Sequence, residues 1–451
     1  MEAGYLPWAL SVRAGAEAVS GWSLPEAAEN PLFGLPPLPP GDLPAQPFRN
    51  ILWFRREDAP LFFGRGYDIR ALYQRITAPG AAPIVLYYGQ SGVGKSSLLA
   101  AGLLPRLEQV HTVVYTRRDQ ALGLTGTLAA MLAANLPGSF EASWKVSTAD
   151  LPFHWRAIEA ETGKPLTVIL DQVEEVYTRP NETMPSEMDA FLAALVALFA
   201  DSTARPQGRL ILSFRKEYLA DIESVMDACH LPRTRVFLQR LDRRGIIEAV
   251  TGPARSERQR QHFGLSMEDG LAAEIADDLL AAPSSAVAPT LQILLSKLWE
   301  QAKARAYDHP HFDRTLYHDL RRKGLLLNDF LDQQLATLRT RQPAAVESGL
   351  ALDLLAFHTT PLGTAEQRTL AELRTMYAHQ SMTLDGLLAA CRDLYLLIDP
   401  AENRPDAVPD ARITRLAHDT LAPLVRHRFE ESDAPGQRAR RILESREANN
   451  D

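Results

Sequence analysis

The chain has 451 residues, with 48 Lys and Arg against 56 Asp and Glu, and a formal net charge of −8. This length exceeds one ordinary hydrophobic core and predicts two or three domains, while the acidic balance argues against a protein that mainly wraps nucleic acid. Two cysteines without a Cys/His cluster exclude a disulfide framework and a zinc site of the usual spacing. Because the sequence has no run of 18 apolar residues and no secretory leader, we expect a soluble protein of the reducing cytoplasm, without a membrane partner.

Residues 1–47 are expected to form an N-terminal extension. Seven prolines fall between Pro31 and Pro47, and this composition favours extended polyproline structure over a packed helix or strand. A stiff linker is the simpler interpretation and a proline-rich docking peptide is the alternative. The sequence does not decide between them.

Residues 48–241 are predicted to form an α/β domain around a five-stranded parallel sheet. Short, β-rich apolar runs alternate with segments of helical spacing, which is the pattern of buried parallel strands joined by helices. The runs are residues 84–88, 112–115, 166–170, 210–214 and 236–238. The strand pattern then stops, so that residues 242–345 are expected to form a small helical domain.

Residues 346–430 are predicted to form a winged-helix domain, followed by a polar tail at residues 431–451. Helical stretches at 348–357, 364–377 and 383–395 precede two short apolar runs on either side of a polar loop. Three helices followed by a strand pair with a loose tip is the order of a winged helix.

The sequence GQSGVGKS at residues 89–96 matches the phosphate-binding loop G-x-x-x-x-G-K-[ST], between an apolar run and a helix-forming segment. In such a loop the backbone N–H groups and the helix N-terminus surround phosphate oxygens. We expect Lys95 to reach the β- and γ-phosphates and Ser96 to bind Mg²⁺. The predicted phosphate-binding residues are Gly89, Gln90, Ser91, Gly92, Val93, Gly94, Lys95, Ser96 and Ser97.

A second motif, LTVILDQVEE at residues 166–175, is an apolar strand that ends in acids. Asp171 at the strand tip is predicted to hold Mg²⁺, and Glu174 or Glu175 to orient or activate the attacking water. Which glutamate does so is left open, because the local turn decides which one faces the γ-phosphate.

Arginines follow two of the predicted strands. Arg215 ends the run 210–214 and is a candidate sensor of the γ-phosphate, because ligands gather at the carboxyl ends of parallel strands. An ordinary surface arginine is the alternative. Arg117 and Arg118 occupy a similar position, where contact with nucleotide, contact with a neighbouring subunit and a solvated or structural role all remain open.

Five motifs in this order resemble the novel STAND NTPases (signal transduction ATPases with numerous domains), a branch of the AAA-like ATPases related to NACHT switches. They are EDAPLFFGR (57–65), GQSGVGKSSLLAAGLLPRL (89–107), VILDQVEEVYT (168–178), LILSFRKEYL (210–219) and APTLQILLSKLW (288–299). The resemblance covers residues 48–445. It implies a nucleotide-binding core, a helical domain and a winged-helix domain that closes over ADP in the resting state.

The resemblance also implies roles for single residues. Phe63, Gly64 and Arg65 match the segment that borders adenine. Pro289 resembles a proline that packs on the nucleotide, although the preceding SSAVA lacks the glycine of many relatives. His418 resembles a histidine that contacts the β-phosphate of ADP, whereas from the residues alone a packed or capping role is simpler. Relatives usually carry repeats or an effector domain beyond this point, so we expect the sensor or effector elsewhere, in another chain or a longer protein.

The favoured interpretation is an ATP/ADP-binding switch that hydrolyses ATP slowly with Mg²⁺ and controls self-oligomerisation and signalling. At the level of the family, bacterial antiviral defence or cell death is expected. The alternative is a DNA-binding AAA-like ATPase of the origin-recognition or transposition-helper type. Asp385, Asp393 and Asp399 against Arg392 alone argue against nucleic acid at the predicted recognition helix. A third possibility is a nucleotide-gated scaffold without turnover.

Overall fold

The computed structural model describes residues 30–136, 150–181, 183–203, 205–281, 286–322, 327–360, 363–399 and 413–434, with Gln437 and Arg441. Five parallel strands form one sheet in the order β2-β3-β4-β1-β5. The strands are β1 (Ile84–Gly89), β2 (Thr112–Arg117), β3 (Leu166–Asp171), β4 (Arg209–Arg215) and β5 (Arg233–Leu238). The predicted α/β fold with a five-stranded parallel sheet is therefore confirmed.

Helices cover both faces of this sheet, which explains why its central strands are apolar throughout. Every residue of β3 is buried. Trp155 and Phe199 lie in the hydrophobic cluster on one face, and Ile69 and Leu98 in the cluster on the other. The helices of this part are Arg56–Leu61 (3₁₀), Gly66–Thr77, Gly123–Ala134, Leu151–Thr162, Glu175–Thr178, Glu187–Phe199, Lys216–Tyr218 (3₁₀) and Leu219–Ala228.

The helix that follows the GQSGVGKS loop is built from three pieces. An α-helical turn, Lys95–Ser97, leads into a π-helical turn, Leu98–Leu103, and a second α-helical turn, Leu104–Leu107. All residues of the π-helical turn are buried. Single π-helical turns of this kind are often found next to functional sites.

The next part of the chain is mainly helical and has its own hydrophobic cluster. Its helices are Arg243–Thr251, Gly252–Ala254 (3₁₀), Glu257–Phe263, Leu271–Ala281, Val287–Arg305, Arg314–Arg322, Leu327–Arg341 and Pro343–Glu347. The expectation that strands stop after residue 241 is wrong, because β6 (Ser266–Met267) and β7 (His311–Phe312) form a short parallel pair. Such two-residue strands are too short to show periodicity. None of the described helices is long and apolar enough to cross a membrane.

The C-terminal part combines helices with a three-stranded sheet. The helices are Leu350–Phe357, Leu370–Met376, Ala378–Gln380 (3₁₀), Ser381–Asp393 and Leu421–Glu431. The strands β8 (Arg368–Thr369), β9 (Leu397–Ile398) and β10 (Ile413–Leu416) pair antiparallel in the order β8-β10-β9. This order of helices and strands is that of a winged helix, and the predicted loop tip lies outside the described residues.

The second helix of this part starts later than predicted. Residues 364–377 were expected to be helical, but residues 368–369 form β8 instead. Thr369 then begins the helix with a capping box, in which its hydroxyl accepts from the backbone N–H of Glu372 and the Glu372 carboxylate accepts from the N–H of Thr369. The capping sequence T-x-x-E is the signal that marks this boundary.

The described part of the proline-rich segment lies against the rest of the protein. Leu32 packs on the sheet cluster that contains Leu98, and Leu43 packs on the cluster of the helical part. Gln109 Nε2 donates a hydrogen bond to the carbonyl oxygen of Pro37 over 2.5 Å. The segment therefore contacts both the α/β part and the helical part.

Candidate functional site

Three of the predicted site residues meet at the carboxyl edge of the sheet. β4 lies between β1 and β3, so the ends of these strands are neighbours. Gly89 at the end of β1 is in register with Arg215, and Asp171 at the end of β3 is in register with Ser213. Ligands of open parallel sheets bind at this edge, so the topology alone brings the loop, the acid and the arginine together.

The GQSGVGKS loop has the backbone of a phosphate-binding loop. Gly92 and Gly94 have positive φ angles of 74° and 96°, which residues with a Cβ rarely adopt. The Lys95 ammonium bends back and donates to the carbonyl oxygens of Gly89 at 3.0 Å and Gln90 at 3.1 Å. Burial lowers the pKa of Lys95, although Glu174 and Asp171 act in the opposite direction.

Asp171 is almost fully buried and accepts two short hydrogen bonds on one oxygen. Ser96 Oγ and the Tyr115 hydroxyl each donate to Asp171 Oδ2 over 2.6 Å. Arg117 Nε lies 3.9 Å from the same oxygen. Burial and the nearby Asp171 carboxylate raise the pKa of Tyr115 well above its ordinary value, so the phenol keeps the proton that it donates.

The two glutamates after β3 have different surroundings. Glu174 faces the cavity that holds Lys95 and Asp171, and its Oε1 lies 3.3 Å from Arg215 Nε. Its Oε2 is buried and has no hydrogen-bond partner among the described residues. Burial, opposed by Lys95 and Arg215, raises the pKa of Glu174 to about 7. Glu175 instead pairs with Arg179 at 3.1 Å.

The segment that follows β10 covers the phosphate-binding loop. A Cβ on Gly92 would lie 2.7 Å from Thr420 Cγ2 and 3.5 Å from His418 Cε1, so only glycine permits this approach. The backbone N–H of Thr420 donates to His418 Nδ1 at 3.2 Å. Burial lowers the pKa of His418 to about 4, so the ring is neutral and carries its proton on Nε2.

Asp419, which no sequence motif predicted, connects this segment to the sheet. Its two carboxylate oxygens pair with Arg215 at 3.2 Å and with Arg415 at 2.6 Å. Burial acts to raise the pKa of Asp419, but these arginines outweigh it and hold the pKa well below its ordinary value. The only signal in the sequence was its position directly after His418.

A largely apolar cavity adjoins the charged one. It is lined by Phe48, Phe62, Phe63 and Pro289, among other residues. The two cavities share the residues Trp53, Gly92, Gly94, Ser97 and His418. An apolar cavity joined to a charged one at a phosphate-binding loop matches the chemistry of a nucleotide, which has an aromatic base at one end and phosphates at the other.

The predicted base-side residues Phe63, Gly64 and Arg65 contribute in different ways. The Phe63 ring lines the apolar cavity. Gly64, with φ of 83°, packs so closely that a Cβ would lie 2.2 Å from the carbonyl oxygen of Gly245. Arg65 is buried and donates to the Val93 carbonyl oxygen at 2.6 Å, which ties the phosphate-binding loop to the segment before it.

The donor set fits a divalent cation that is shared with phosphates. No group of three or more His, Cys, Asp or Glu residues able to hold a metal occurs in the described part of the chain. Ser96 and Asp171, however, supply the hydroxyl and carboxylate oxygens that Mg²⁺ takes alongside phosphate oxygens and water. Ser96 Oγ and Asp171 Oδ2 lie 2.6 Å apart, so the two oxygens that would bind the cation are neighbours in the site.

The sheet, the loop and the acidic strand end together define a P-loop NTPase. The sequence matches the family described as Novel STAND NTPase 1 over residues 47–427, and the chain belongs to this family. A comparison with curated proteins finds no match.

Two solved structures from Aeropyrum pernix are similar in fold. One is the ORC2 protein (ADPNP–ADP complexes), which is 16% identical, with 80% of this chain and 93% of that chain covered and a TM-score of 0.42. The other is the ORC1 protein in complex with DNA, which is 14% identical, with 84% of this chain and 98% of that chain covered and a TM-score of 0.40.

Proposed function

We propose that the protein is a cytoplasmic ATP/ADP switch of the STAND type, in which the C-terminal part closes over ADP and opens when ATP replaces it. One observation carries this proposal: Arg215, at the end of β4, lies between Glu174 of the α/β part and Asp419 of the C-terminal part. A γ-phosphate that takes Arg215 competes with Asp419. ATP and ADP would therefore differ in how strongly they favour the closed arrangement.

The proposed roles follow from the contacts of each residue. With nucleotide bound, Lys95 would leave the carbonyl oxygens of its loop and bind the β- and γ-phosphates. Ser96 and Asp171 would hold Mg²⁺, which would neutralise phosphate charge. Glu174, and not Glu175, orients the attacking water, because Glu174 faces the cavity and Glu175 pairs with Arg179. The proposed nucleotide-binding residues are those of the sequence motifs: Phe63, Gly64, Arg65, Gly89, Gln90, Ser91, Gly92, Val93, Gly94, Lys95, Ser96, Ser97, Pro289 and His418.

The closed arrangement is poorly suited to fast hydrolysis. Arg215 is engaged by Asp419, and Glu174, with a pKa near 7, is protonated for part of the time at neutral pH. Protonated Glu174 cannot accept a proton from the attacking water, and Arg215 is not available to the γ-phosphate while Asp419 binds it. Both effects slow the chemical step. Slow hydrolysis would return the opened switch to ADP and so reset it.

Opening would expose surfaces that the C-terminal part covers. We propose that these surfaces mediate self-association and contact a separate sensor or effector. The proposed setting is bacterial defence or cell death, on the strength of family membership. Nucleic acid is not part of the proposed mechanism, because Asp385 and Asp393 lie on the helix that a winged helix inserts into DNA.

The first test is the nucleotide that the purified protein retains. The protein is denatured, and the released nucleotide is identified by chromatography. A closed switch releases close to one ADP per chain, and Lys95→Ala loses it. Lys303→Ala is the control and should retain it, because Lys303 lies over the Tyr307 ring and lines neither cavity. A wild-type protein that releases none, and exchanges ATP freely, contradicts a closed resting state.

The second test is the oligomeric state. Light scattering is recorded with ADP, with ATP and with a slowly hydrolysed ATP analogue, each with and without duplex DNA. The proposal expects a larger assembly with ATP than with ADP, and no dependence on DNA. The same state with both nucleotides contradicts the switch. Tight, salt-sensitive binding of duplex DNA would instead support the DNA-binding ATPase alternative.

A further inference from the structure

One carboxylate oxygen of Asp171 accepts hydrogen bonds from two hydroxyl groups that belong to different elements. Ser96 donates from the phosphate-binding loop, and Tyr115 donates from β2, both to Oδ2 and both over 2.6 Å. The other carboxylate oxygen, Oδ1, accepts from the backbone N–H of Gln172 at 3.0 Å. The side chain of Asp171 is only 1% exposed, so these donors replace water around the carboxylate.

The pleat of β2 places Tyr115 on the same face of the sheet as Asp171. β2 and β3 pair in parallel with Tyr115 opposite Ile169 and Arg117 opposite Asp171, and side chains alternate between faces. The Tyr115 ring packs against Trp53, with centroids 6.3 Å apart and an angle of 18° between the planes. The Arg117 guanidinium lies 4.9 Å from the centroid of the same Trp53 ring. The phenol is therefore held in place on several sides.

We propose that Tyr115 is a positioning residue that keeps Asp171 oriented toward the divalent cation of the nucleotide site. The proposal rests on the nucleotide-binding function proposed above. A Ser96 hydroxyl that gives a lone pair to a cation keeps its proton for donation, but its position then has to satisfy both the cation and Asp171. Tyr115 is not a ligand in this arrangement, so its hydrogen bond to Oδ2 can persist in both states and restrict rotation of the carboxylate.

The test uses Tyr115→Phe in the full chain, because this change removes one oxygen and leaves the ring against Trp53. Tyr317→Phe is a matched control: Tyr317 is fully buried in the helical part, and its hydroxyl donates to Asp278 Oδ2 over 2.7 Å. Binding of a fluorescent ATP analogue is measured first in EDTA and then as a function of MgCl₂ concentration. Thermal melting of both variants reports the structural effect of losing a buried tyrosine hydroxyl.

We expect Tyr115→Phe to raise the MgCl₂ concentration for half-maximal enhancement of binding by roughly 10-fold, as for other groups that orient a metal ligand. Binding in EDTA should be unchanged, and Tyr317→Phe should match the wild type in both measurements. An unchanged MgCl₂ midpoint in Tyr115→Phe overturns the proposal, as does an equal loss of binding in EDTA, which would indicate a structural role. Failure of the wild-type protein to bind nucleotide would instead refute the function on which the proposal rests.

Discussion

Arg215 Nη2 and Asp419 Oδ2 lie 3.2 Å apart and join the end of β4 to the segment that follows β10. The side chains are only 18% and 20% exposed, so solvent screens this pair less than a surface pair. Glu174 Oε1 lies 3.3 Å from Nε of the same guanidinium. A ligand group that takes Arg215 therefore acts on the contact between the α/β part and the C-terminal part.

Replacing Asp419 by Asn should loosen the closed arrangement. The change removes a charged hydrogen-bond acceptor from both Arg215 and Arg415, which typically costs about 2 kcal/mol, or roughly 30-fold in an equilibrium constant. We expect faster release of a fluorescent ADP analogue and a larger assembled fraction with ATP. Stopped-flow fluorescence and light scattering measure the two effects.

The matched control for Asp419→Asn is Asp332→Asn. Asp332 pairs with Arg428, and both side chains of that pair are 46% exposed. Exposed pairs contribute little to stability, so this variant should release ADP at the wild-type rate. Equal release rates in the two variants would contradict a specific role for Asp419.

Glu174→Gln and Glu175→Gln should differ strongly in ATP hydrolysis. Glu174 faces the cavity with a buried, unpartnered Oε2, so its replacement should lower the rate of phosphate release by roughly 100-fold. Glu175 is engaged by Arg179, and its replacement should have a much smaller effect. Single-turnover measurements at saturating ATP give both rates, and a greater loss in Glu175→Gln would reverse the assignment.

The raised pKa of Glu174 predicts how phosphate release depends on pH. The pKa of Glu174 is raised to about 7, so the fraction in the basic form rises from pH 6 to pH 8. If Glu174 acts as the base, phosphate release should rise over this interval and level off above it. The residual rate of Glu174→Gln should lack this rise. An identical pH profile in the variant would assign the titration to another group.

The sequence was sufficient to predict the residues that strand order brings together. Gly89, Asp171 and Arg215 each end a parallel strand, and parallel strands of one sheet end at the same edge. Their proximity therefore follows from local pattern plus one topological rule. The choice of Glu174 over Glu175 did not follow, because it depends on the turn after β3, where Gln172 adopts a positive φ of 63°.

The contacts of the C-terminal segment could not be predicted from the sequence in the same way. Arg215 and Asp419 are 204 positions apart. Hydrophobic periodicity predicts single helices and strands, but it does not predict how two separately packed parts contact each other. Tyr115 was missed for a different reason. It was interpreted as one of the apolar residues of β2, although its position two before Arg117 places it on the face that carries Asp171.

His418 should remain neutral over the physiological pH range. Burial lowers its pKa to about 4, and its Nδ1 accepts from the Thr420 N–H, which leaves Nε2–H as the donor. Histidine NMR should therefore show no titration of this ring between pH 5.5 and pH 8. A midpoint near the ordinary value of 6.5 would contradict the buried, closed position.

If the His418 Nε2–H group donates to a phosphate of ADP, the rate of ADP release should depend on whether the residue at position 418 keeps an N–H donor. His418→Ala removes the donor, and we expect ADP to dissociate about 10-fold faster, as for the loss of one hydrogen bond to a charged group. His418→Gln keeps an N–H donor near the Nε2 position and should retain most of the affinity. Equal release rates in both variants and the wild type would exclude contact with the phosphate.

Gly64→Ala tests whether the shape of the segment before the phosphate-binding loop depends on close packing or on backbone conformation alone. Gly80→Ala is the matched control, because Gly80 also has a positive φ, 69° against 83° for Gly64, but a Cβ there meets nothing within 4 Å. The control should lose only the conformational penalty of about 1 kcal/mol in unfolding free energy.

Gly64→Ala adds a contact of 2.2 Å with the Gly245 carbonyl oxygen, which the two backbones can relieve only by moving apart. We therefore expect a clearly larger loss of unfolding free energy, about 3 kcal/mol or more by analogy with overpacked cores, in urea titrations of the two variants. Equal losses would show that backbone conformation accounts for the whole effect.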